Sequence, residues 1–267
     1  MIFSYTQISQ FLACPKRYRY RYLDGWQEKD TRAALLFGRA LENALSALFR
    51  RQDAGATFFR EWSAQQRAKV EYTRGDSWRR MYDQGIKLLD LFVQDDRVEI
   101  RRPKRNLQVR VSKPLSPTSQ FVGYVDAYGF LDGVRCVMDW KTTTASYPER
   151  PAGLLALDPQ LVCYSWLTGE PEVAFVVFVR KRLPEIQYLR ATITDEQRQE
   201  FGELVHDSVA QIEAGQYLPH SGIRFPQNGC TSCSYVGLCL KNQPLTNRQL
   251  VRSAGGDGLV WLDELAG

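Results

Sequence analysis

No stretch of the 267-residue chain approaches the roughly 18–20 consecutive apolar residues needed to cross a bilayer; the longest apolar run, Val173 to Val179, has the length of a strand. That argues against a membrane-spanning helix. Met1-Ile2-Phe3-Ser4-Tyr5 offers neither a basic segment nor a sustained apolar core, so no secretory signal is evident and a cytoplasmic protein is the expectation. There is no internal repeat and no long low-complexity linker, which excludes a solenoid and favours a single α/β domain with a helical insertion. Only one C-x2-C pair occurs, which weakens a ribbon-type zinc site, and disulfides are disfavoured in a reducing compartment.

What is present is enough apolar residue, 44% of the chain, to bury a sizeable core. The net charge of +5 permits a polyanionic partner without demanding one. Its clustering is more informative. Arg17, Arg19 and Arg21 alternate with Tyr18, Tyr20 and Tyr22, and a second basic group runs through Arg101, Arg102, Lys104 and Arg105. Guanidinium groups bind phosphates and aromatic rings offer faces to unstacked bases, so this interleaving suits single-stranded nucleic acid; a solvated amphipathic face is the plainer reading.

The first half reads as helical. Ser4 and Gln7 fit a capping box ahead of Ile8, Phe11 and Leu12, and Pro15 marks an early stop or kink. Helices are predicted over 33–49, 57–73 and 77–94. From Leu107 alternation and β-branched residues take over, predicting strands at 107–111, 120–130 and 134–141, with Asp132-Gly133 as a hairpin turn. A helix over 159–167, strands over 173–180 and 185–192, and a helix opened by Thr194 and Gln197 and ending near Ala214 follow. The tail from Leu218 is rich in Pro, Gly, Asn and Cys, with little periodicity.

The strongest catalytic signal lies on two neighbouring strands, Gly123-Tyr124-Val125-Asp126 and Asp139-Trp140-Lys141. Residues two apart on a strand share a face, so Asp139 and Lys141 project together, and a hairpin partner brings Asp126 alongside. Two carboxylates and an ammonium suit phosphodiester hydrolysis: carboxylates hold Mg²⁺ or Mn²⁺, and a lysine with a pKa lowered by burial orients or deprotonates water. A lone D-x-K is more commonly a surface ion pair. Gln160 and Tyr164, four apart on the next helix, face one direction and could meet a DNA strand. Glu42 lies in an otherwise apolar helix, where a charge costs energy unless it is metal-bound or paired, for instance with Arg39.

The cysteines divide by context. Cys136 and Cys163 fall inside a predicted strand and helix and read as core residues. Cys230-x2-Cys233-x5-Cys239 lies in the turn-rich tail, and Cys14 is the remaining candidate for a fourth ligand. Four thiolates could bind Zn²⁺ or a [4Fe–4S] cluster, and spacing alone does not choose. Either would tie the two ends of the chain together.

Together these residues resemble the RecB-like PD-(D/E)XK nucleases with a C-terminal iron–sulfur motif, a group that includes the AddB nuclease domain and the CRISPR-associated adaptation exonucleases. Ser4 to Tyr18, with Cys14 before Pro15, is similar to that family's N-terminal segment. The resemblance implies that Asp126 binds metal as the aspartate of G-x-x-D, that Asp139 and Lys141 form the (D/E)-x-K pair, and that Gln160 and Tyr164 form Q-x-x-x-Y. Where the family has a metal-binding histidine four residues after a glycine, this chain has Glu42 after Gly38. The implied metal set is Glu42, Asp126, Asp139 and the Trp140 carbonyl, and the implied cluster ligands are Cys14, Cys230, Cys233 and Cys239, with [4Fe–4S] favoured over zinc. Arg17, Tyr18 and Tyr20, with Gln160 and Tyr164, are the implied DNA contacts.

The expected fold is α/β, a restriction-endonuclease-like core with a central mixed β-sheet flanked by helices, a helical part over 31–106, a catalytic core over 107–217, and a cluster region formed by 1–30 with 218–245 closing on the N-terminus. The expected activity is that of a metal-dependent DNA nuclease, an exonuclease on single-stranded ends, working in repair, recombination or CRISPR adaptation beside a helicase or adaptation proteins. A non-catalytic DNA-end-binding or scaffold subunit is the competing expectation, favoured by the substituted Glu42.

Overall fold

The computed structural model describes residues 1–29, 31–64, 70–219 and 229–252. They divide into two compact units, one of residues Thr31–Lys113 and Val122–Gly202, the other of Met1–Asp30, Pro114–Phe121 and Glu203–Gly267.

The first unit opens with three helices, α1 (Ala33–Phe49), α2 (Ala54–Ala64) and α3 (Trp78–Val93). Phe37, Ala40, Leu41, Ala44 and Leu45 recur at helical spacing along α1 and are buried, so this helix forms because one apolar stripe must be covered. Ser77 caps α3 by accepting the Arg80 N–H at 3.3 Å. α2 is described as far as Ala64, and the helix predicted to 73 does not extend over 70–73. Residues 65–69 lie outside the described residues, and Val70–Glu71 are extended and paired in parallel with Thr31–Arg32. Valine, tyrosine and threonine at 70, 72 and 73 suit an extended backbone better than a helix.

Six strands and a crossover helix follow: β1 (Val98–Glu99), β2 (Leu107–Ser116), β3 (Ser119–Leu131), β4 (Val134–Thr143), α4 (Pro159–Thr168), β5 (Glu172–Val179) and β6 (Glu185–Thr192). β3 and β4 are an antiparallel hairpin turned at Asp132 and Gly133, both at positive φ as a two-residue turn of this hand requires. β4 and β5 are parallel, joined through α4, and β6 returns antiparallel on β5. β1 and β2 both pair with β3. The sheet is therefore mixed and carries helices, as a restriction-endonuclease-like core requires. Cys136, Met138 and Trp140 of β4, with Ala174, Val176 and Phe178 of β5, turn to the core shared with α1, α2 and α3. The alternate residues, Val137, Asp139 and Lys141, take the opposite face of the strand by its twofold period. That alternation sets the site.

In the second unit the helix Tyr5–Ala13 starts on the predicted capping box, with Ser4 N–H donating to Gln7 and Gln7 N–H to Ser4. Cys14 is extended and separates it from a short helix, Pro15–Tyr18, followed by a wider turn over Arg19–Leu23. Ile2 and Phe3 pair in parallel with Gln120 and Phe121. The tail is more regular than its composition suggests: beyond a turn at Gly229–Ser232 it holds the helices Val236–Cys239 and Gln243–Gln249 and a strand Leu250–Arg252, which pairs antiparallel with Trp26–Glu28. Residues 220–228 of the predicted turn-rich tail lie outside the described residues. Among the described residues no helix is long and apolar enough to cross a membrane.

Candidate active site

The hairpin ladder runs from Leu131 opposite Val134 to Ala127 opposite Met138. One residue further on, the Asp126 carboxylate accepts the Trp140 backbone N–H at 2.8 Å. A side chain thus takes a donor that strand pairing would otherwise use, and Asp126 is fixed beside Asp139 and Lys141. Asp139 is 2% exposed. Its Oδ2 forms an ion pair with Lys141, while its Oδ1 accepts from the Gln160 amide at 3.0 Å and from the Tyr164 hydroxyl at 2.9 Å.

Gln160 and Tyr164 reach this carboxylate because Asp158 caps α4, accepting the Gln160 and Leu161 N–H groups, and because four residues make one helical turn. The Gln160 oxygen accepts from Lys141 at 2.7 Å and its amide also donates to Tyr164 at 2.9 Å. The pair read from sequence as a DNA contact is thus occupied with Asp139 and Lys141, and Tyr164 is only 6% exposed. Gly123, two residues inside the unit on β3, explains how close α4 lies: a Cβ there would stand 2.7 Å from Leu167.

Glu42 comes from α1, with Gly38 one turn earlier passing Thr142 of β4 so closely that a Cβ would meet its hydroxyl at 3.3 Å. Gln108 donates to Glu42 at 3.2 Å. No local pattern signals this partner beyond its being an amide at the head of a strand. Its backbone has φ 53, uncommon for a residue other than glycine.

Three carboxylates therefore act on one another around a single ammonium. Burial, then Asp139, then Glu42 push the Asp126 carboxyl well above the usual range; burial raises Glu42, opposed by the Gln108 hydrogen bond. Lys141 departs from the expectation of a lowered pKa. Burial alone would lower it, but Asp139 and Asp126 hold it above the ordinary ammonium value. Lys141 is a firm cation here, with its ammonium also 5.0 Å from the Phe175 ring centre. Burial and the same aspartates keep the Tyr164 phenol protonated, so it acts as a donor.

Among the described residues no three His, Cys, Asp or Glu side chains are already gathered to hold an ion. The chemistry of the donors nevertheless fits one. With Glu42, Asp126 and Asp139 ionised and Lys141 charged, the cluster carries three negative charges against one positive, a deficit that a hard divalent cation matches and that protons otherwise fill.

In the other unit, none of the four tail and N-terminal cysteines is in a disulfide; Cys14 and Cys233 are half-buried, and Cys230 and Cys239 exposed. Cys233 N–H donates to the Cys230 carbonyl at 3.2 Å, a tight turn over the C-x2-C spacing. Burial raises the Cys233 thiol, and both Cys14 and Cys239 add to that rise. Cys14, Cys233 and Cys239 are close enough to feel one another, and as soft donors the thiols fit zinc or an iron–sulfur cluster better than a hard cation. Cys136 and Cys163 are buried in the first unit, as core residues.

The basic-aromatic segment is largely engaged. Tyr18 is 4% exposed, packed edge-on against Phe11 and stacked with Tyr217. Its ring is therefore not offered to a base. Tyr20 stacks on Tyr235, and burial with the neighbouring Cys239 pushes its phenol up to about 12. Arg17 lies 5.7 Å over Tyr235 and 4.0 Å from Glu28.

Among solved structures, one from Eubacterium rectale described as a candidate exonuclease is 15% identical, with 86% of this chain and 87% of that one covered at a TM-score of 0.55, a likeness of fold. The structure of the protein SSO0001 is 14% identical over 89% of this chain and 93% of its own, at a TM-score of 0.35 that carries no argument. No curated protein matches. The family model for the PD-(D/E)XK nuclease superfamily matches residues 2–240, a span that includes Glu42, Asp126, Asp139, Lys141, Gln160 and Tyr164, and the chain belongs to that superfamily.

Proposed function

We propose that this nuclease is a Mg²⁺- or Mn²⁺-dependent deoxyribonuclease that digests DNA from single-stranded ends. The observation that carries the reading is the charge deficit around Glu42, Asp126 and Asp139, built where the β3–β4 ladder gives way to the Asp126–Trp140 bond. Family membership supplies the reaction class, and the description of the Eubacterium rectale structure agrees with exonuclease action.

Glu42, Asp126 and Asp139 would hold the cation, with the Trp140 carbonyl as a further oxygen donor. When bound, the cation supplies Lewis-acid polarisation of the phosphodiester. The chain's own residues set everything else. Gln160 and Tyr164 fix both oxygen and rotamer of Asp139, so that its remaining lone pairs point to one place. Lys141, paired with Asp139 and hydrogen-bonded to Gln160, would stand beside the attacking water or a phosphate oxygen and orient it. Cys14, Cys230, Cys233 and Cys239 would hold a [4Fe–4S] cluster in the other unit that takes no part in hydrolysis. DNA repair, recombination or CRISPR adaptation are the settings in which such an end-digesting activity belongs, with a helicase or adaptation proteins as partners.

Purified protein should degrade end-labelled single-stranded DNA when Mg²⁺ or Mn²⁺ is supplied and not in EDTA, and Lys141→Ala should reduce the rate at least about 100-fold, the usual scale for losing one transition-state donor. DNA binding without cleavage under every cation and substrate tried would overturn the nuclease assignment in favour of an end-binding subunit. Iron and sulfide in a brown protein support the cluster; a colourless protein with zinc overturns it.

A further inference from the structure

The basic group at Arg101–Arg105 stands outside the catalytic set, and its surroundings give it a use. Four residues of short helix, Pro103–Asn106, carry it, between two residues of left-handed backbone, Arg102 at φ 52 and Gln108 at φ 53. Non-glycine residues keep such conformations only where their surroundings hold them, and they gather at functional sites. The Asn106 side chain donates back to the Arg101 carbonyl at 2.6 Å and the Arg105 N–H to the Arg102 carbonyl at 2.9 Å, which closes the turn.

Arg101 is spent as a strut: it bonds Glu99 through two nitrogens, at 2.7 and 3.3 Å, and lies 4.4 Å over the Phe130 ring. Arg102, Lys104 and Arg105 are exposed and have no ion-pair partner among the described residues. Three residues beyond Arg105, Gln108 donates to Glu42 at 3.2 Å. Chain geometry alone keeps the Arg105 and Gln108 Cα atoms within about 11 Å of each other. Free cations thus sit on the same short segment as Gln108, which bonds a cluster that, lacking a cation, would repel any phosphate.

We infer that residues 102–108 form the phosphate-binding edge of the active site, with Arg102, Lys104 and Arg105 gripping the backbone of the nucleic-acid strand next to the bond to be cut and Gln108 joining this grip to Glu42. The inference deepens the nuclease reading and rests on it for the identity of the strand. Phosphate contacts of this kind fix register and carry no base preference, which suits a digesting enzyme.

The test measures binding separately from cleavage. Fluorescence anisotropy of a labelled single-stranded oligonucleotide, with Ca²⁺ in place of Mg²⁺, gives affinity as a function of salt for the full chain and for Arg102→Gln, Lys104→Gln and Arg105→Gln. Each lost contact should lower the slope of log affinity against log salt by about 0.7 and weaken binding about fivefold at 0.1 M salt, with the triple variant losing about 2 in slope. Thermal unfolding separates a lost contact from a lost fold, and if the triple variant fails to fold the single variants decide. Unchanged slopes in folded single variants would overturn the inference while leaving wild-type cleavage, and so the nuclease reading, intact. A wild-type protein that binds with the expected slope but never cleaves would sink the nuclease reading and leave this surface standing.

Discussion

Asp126 and Glu42 bind protons more tightly in the folded chain than they would unfolded, because burial and neighbouring carboxylates raise both. Their contribution to stability is complete below the ordinary carboxylate range and is lost as pH climbs through the raised values, since the folded state then holds protons that the unfolded chain has released. Lys141, raised above its usual value, remains charged throughout that window. Metal-free protein in EDTA should therefore melt at a lower temperature near neutral pH than in mild acid. Mg²⁺ bound as proposed would displace those protons, so the upward shift it causes in melting temperature should grow with pH. A shift of equal size in acid and at neutrality would show that the cation binds elsewhere.

Tyr164 tests the same cluster without touching charge. Its hydroxyl donates to a buried carboxylate oxygen at 2.9 Å and accepts from Gln160. Tyr164→Phe should cost about 1–3 kcal/mol in urea unfolding, the usual penalty for a buried charged acceptor losing a donor. Its rate should fall while affinity for DNA holds, because its hydroxyl is engaged with Asp139 and Gln160. A variant that loses DNA affinity with an unchanged rate would return Tyr164 to the role of strand contact.

At the level of elements, α4 and β3 touch at Gly123. A Cβ placed 2.7 Å from Leu167 cannot be accepted in position, so Gly123→Ala should push α4 off the strand, costing about 1–3 kcal/mol as overpacking does. Because Gln160 and Tyr164 ride on that helix, activity should fall further than stability alone explains. Measuring both on one preparation checks it; full activity at reduced stability would mean the helix yields elsewhere.

Much of this element layout was legible. The α1 stripe, the Ser4–Gln7 box and the Asp132-Gly133 hairpin are each local patterns whose physics does not depend on distant residues. What escaped was non-local. The Gln108–Glu42 bond joins residues 66 apart, and no pattern near either announces it. The helix predicted to 73 failed where an extended partner, Thr31–Arg32, competes for Val70–Glu71. Q-x-x-x-Y could be placed on one helix face from spacing, but whether that face met DNA or Asp139 depended on how α4 docks.

For the molecule as a whole, four cysteines looked like the means by which N- and C-terminal segments are kept together, yet the second unit has other ties. Trp26–Glu28 pairs with Leu250–Arg252, Lys29 N–H donates to the Gln249 carbonyl at 3.0 Å, and buried Tyr235 donates to the Trp26 carbonyl at 3.2 Å. Cys230→Ser should accordingly keep its secondary structure by circular dichroism while losing the iron of the proposed cluster. Removal of residues 250–267 should lower the melting temperature by several degrees, since it strips a strand and the buried Leu250. Collapse of the serine variant to an unfolded chain would show that the cysteine site carries that unit after all.

The Tyr235–Trp26 bond spans 209 residues of sequence. A ribosome that has delivered residue 202 has already released everything the first unit contains, whereas the segment at Trp26 must wait for the last fifth of the chain before it has anything to pair with. Synthesis therefore imposes an order: the unit of residues 31–113 and 122–202 has emerged before Tyr235 and Leu250–Arg252, the partners of Trp26–Glu28. Until then the Trp26–Glu28 backbone lacks the strand that pairs with it in the folded chain.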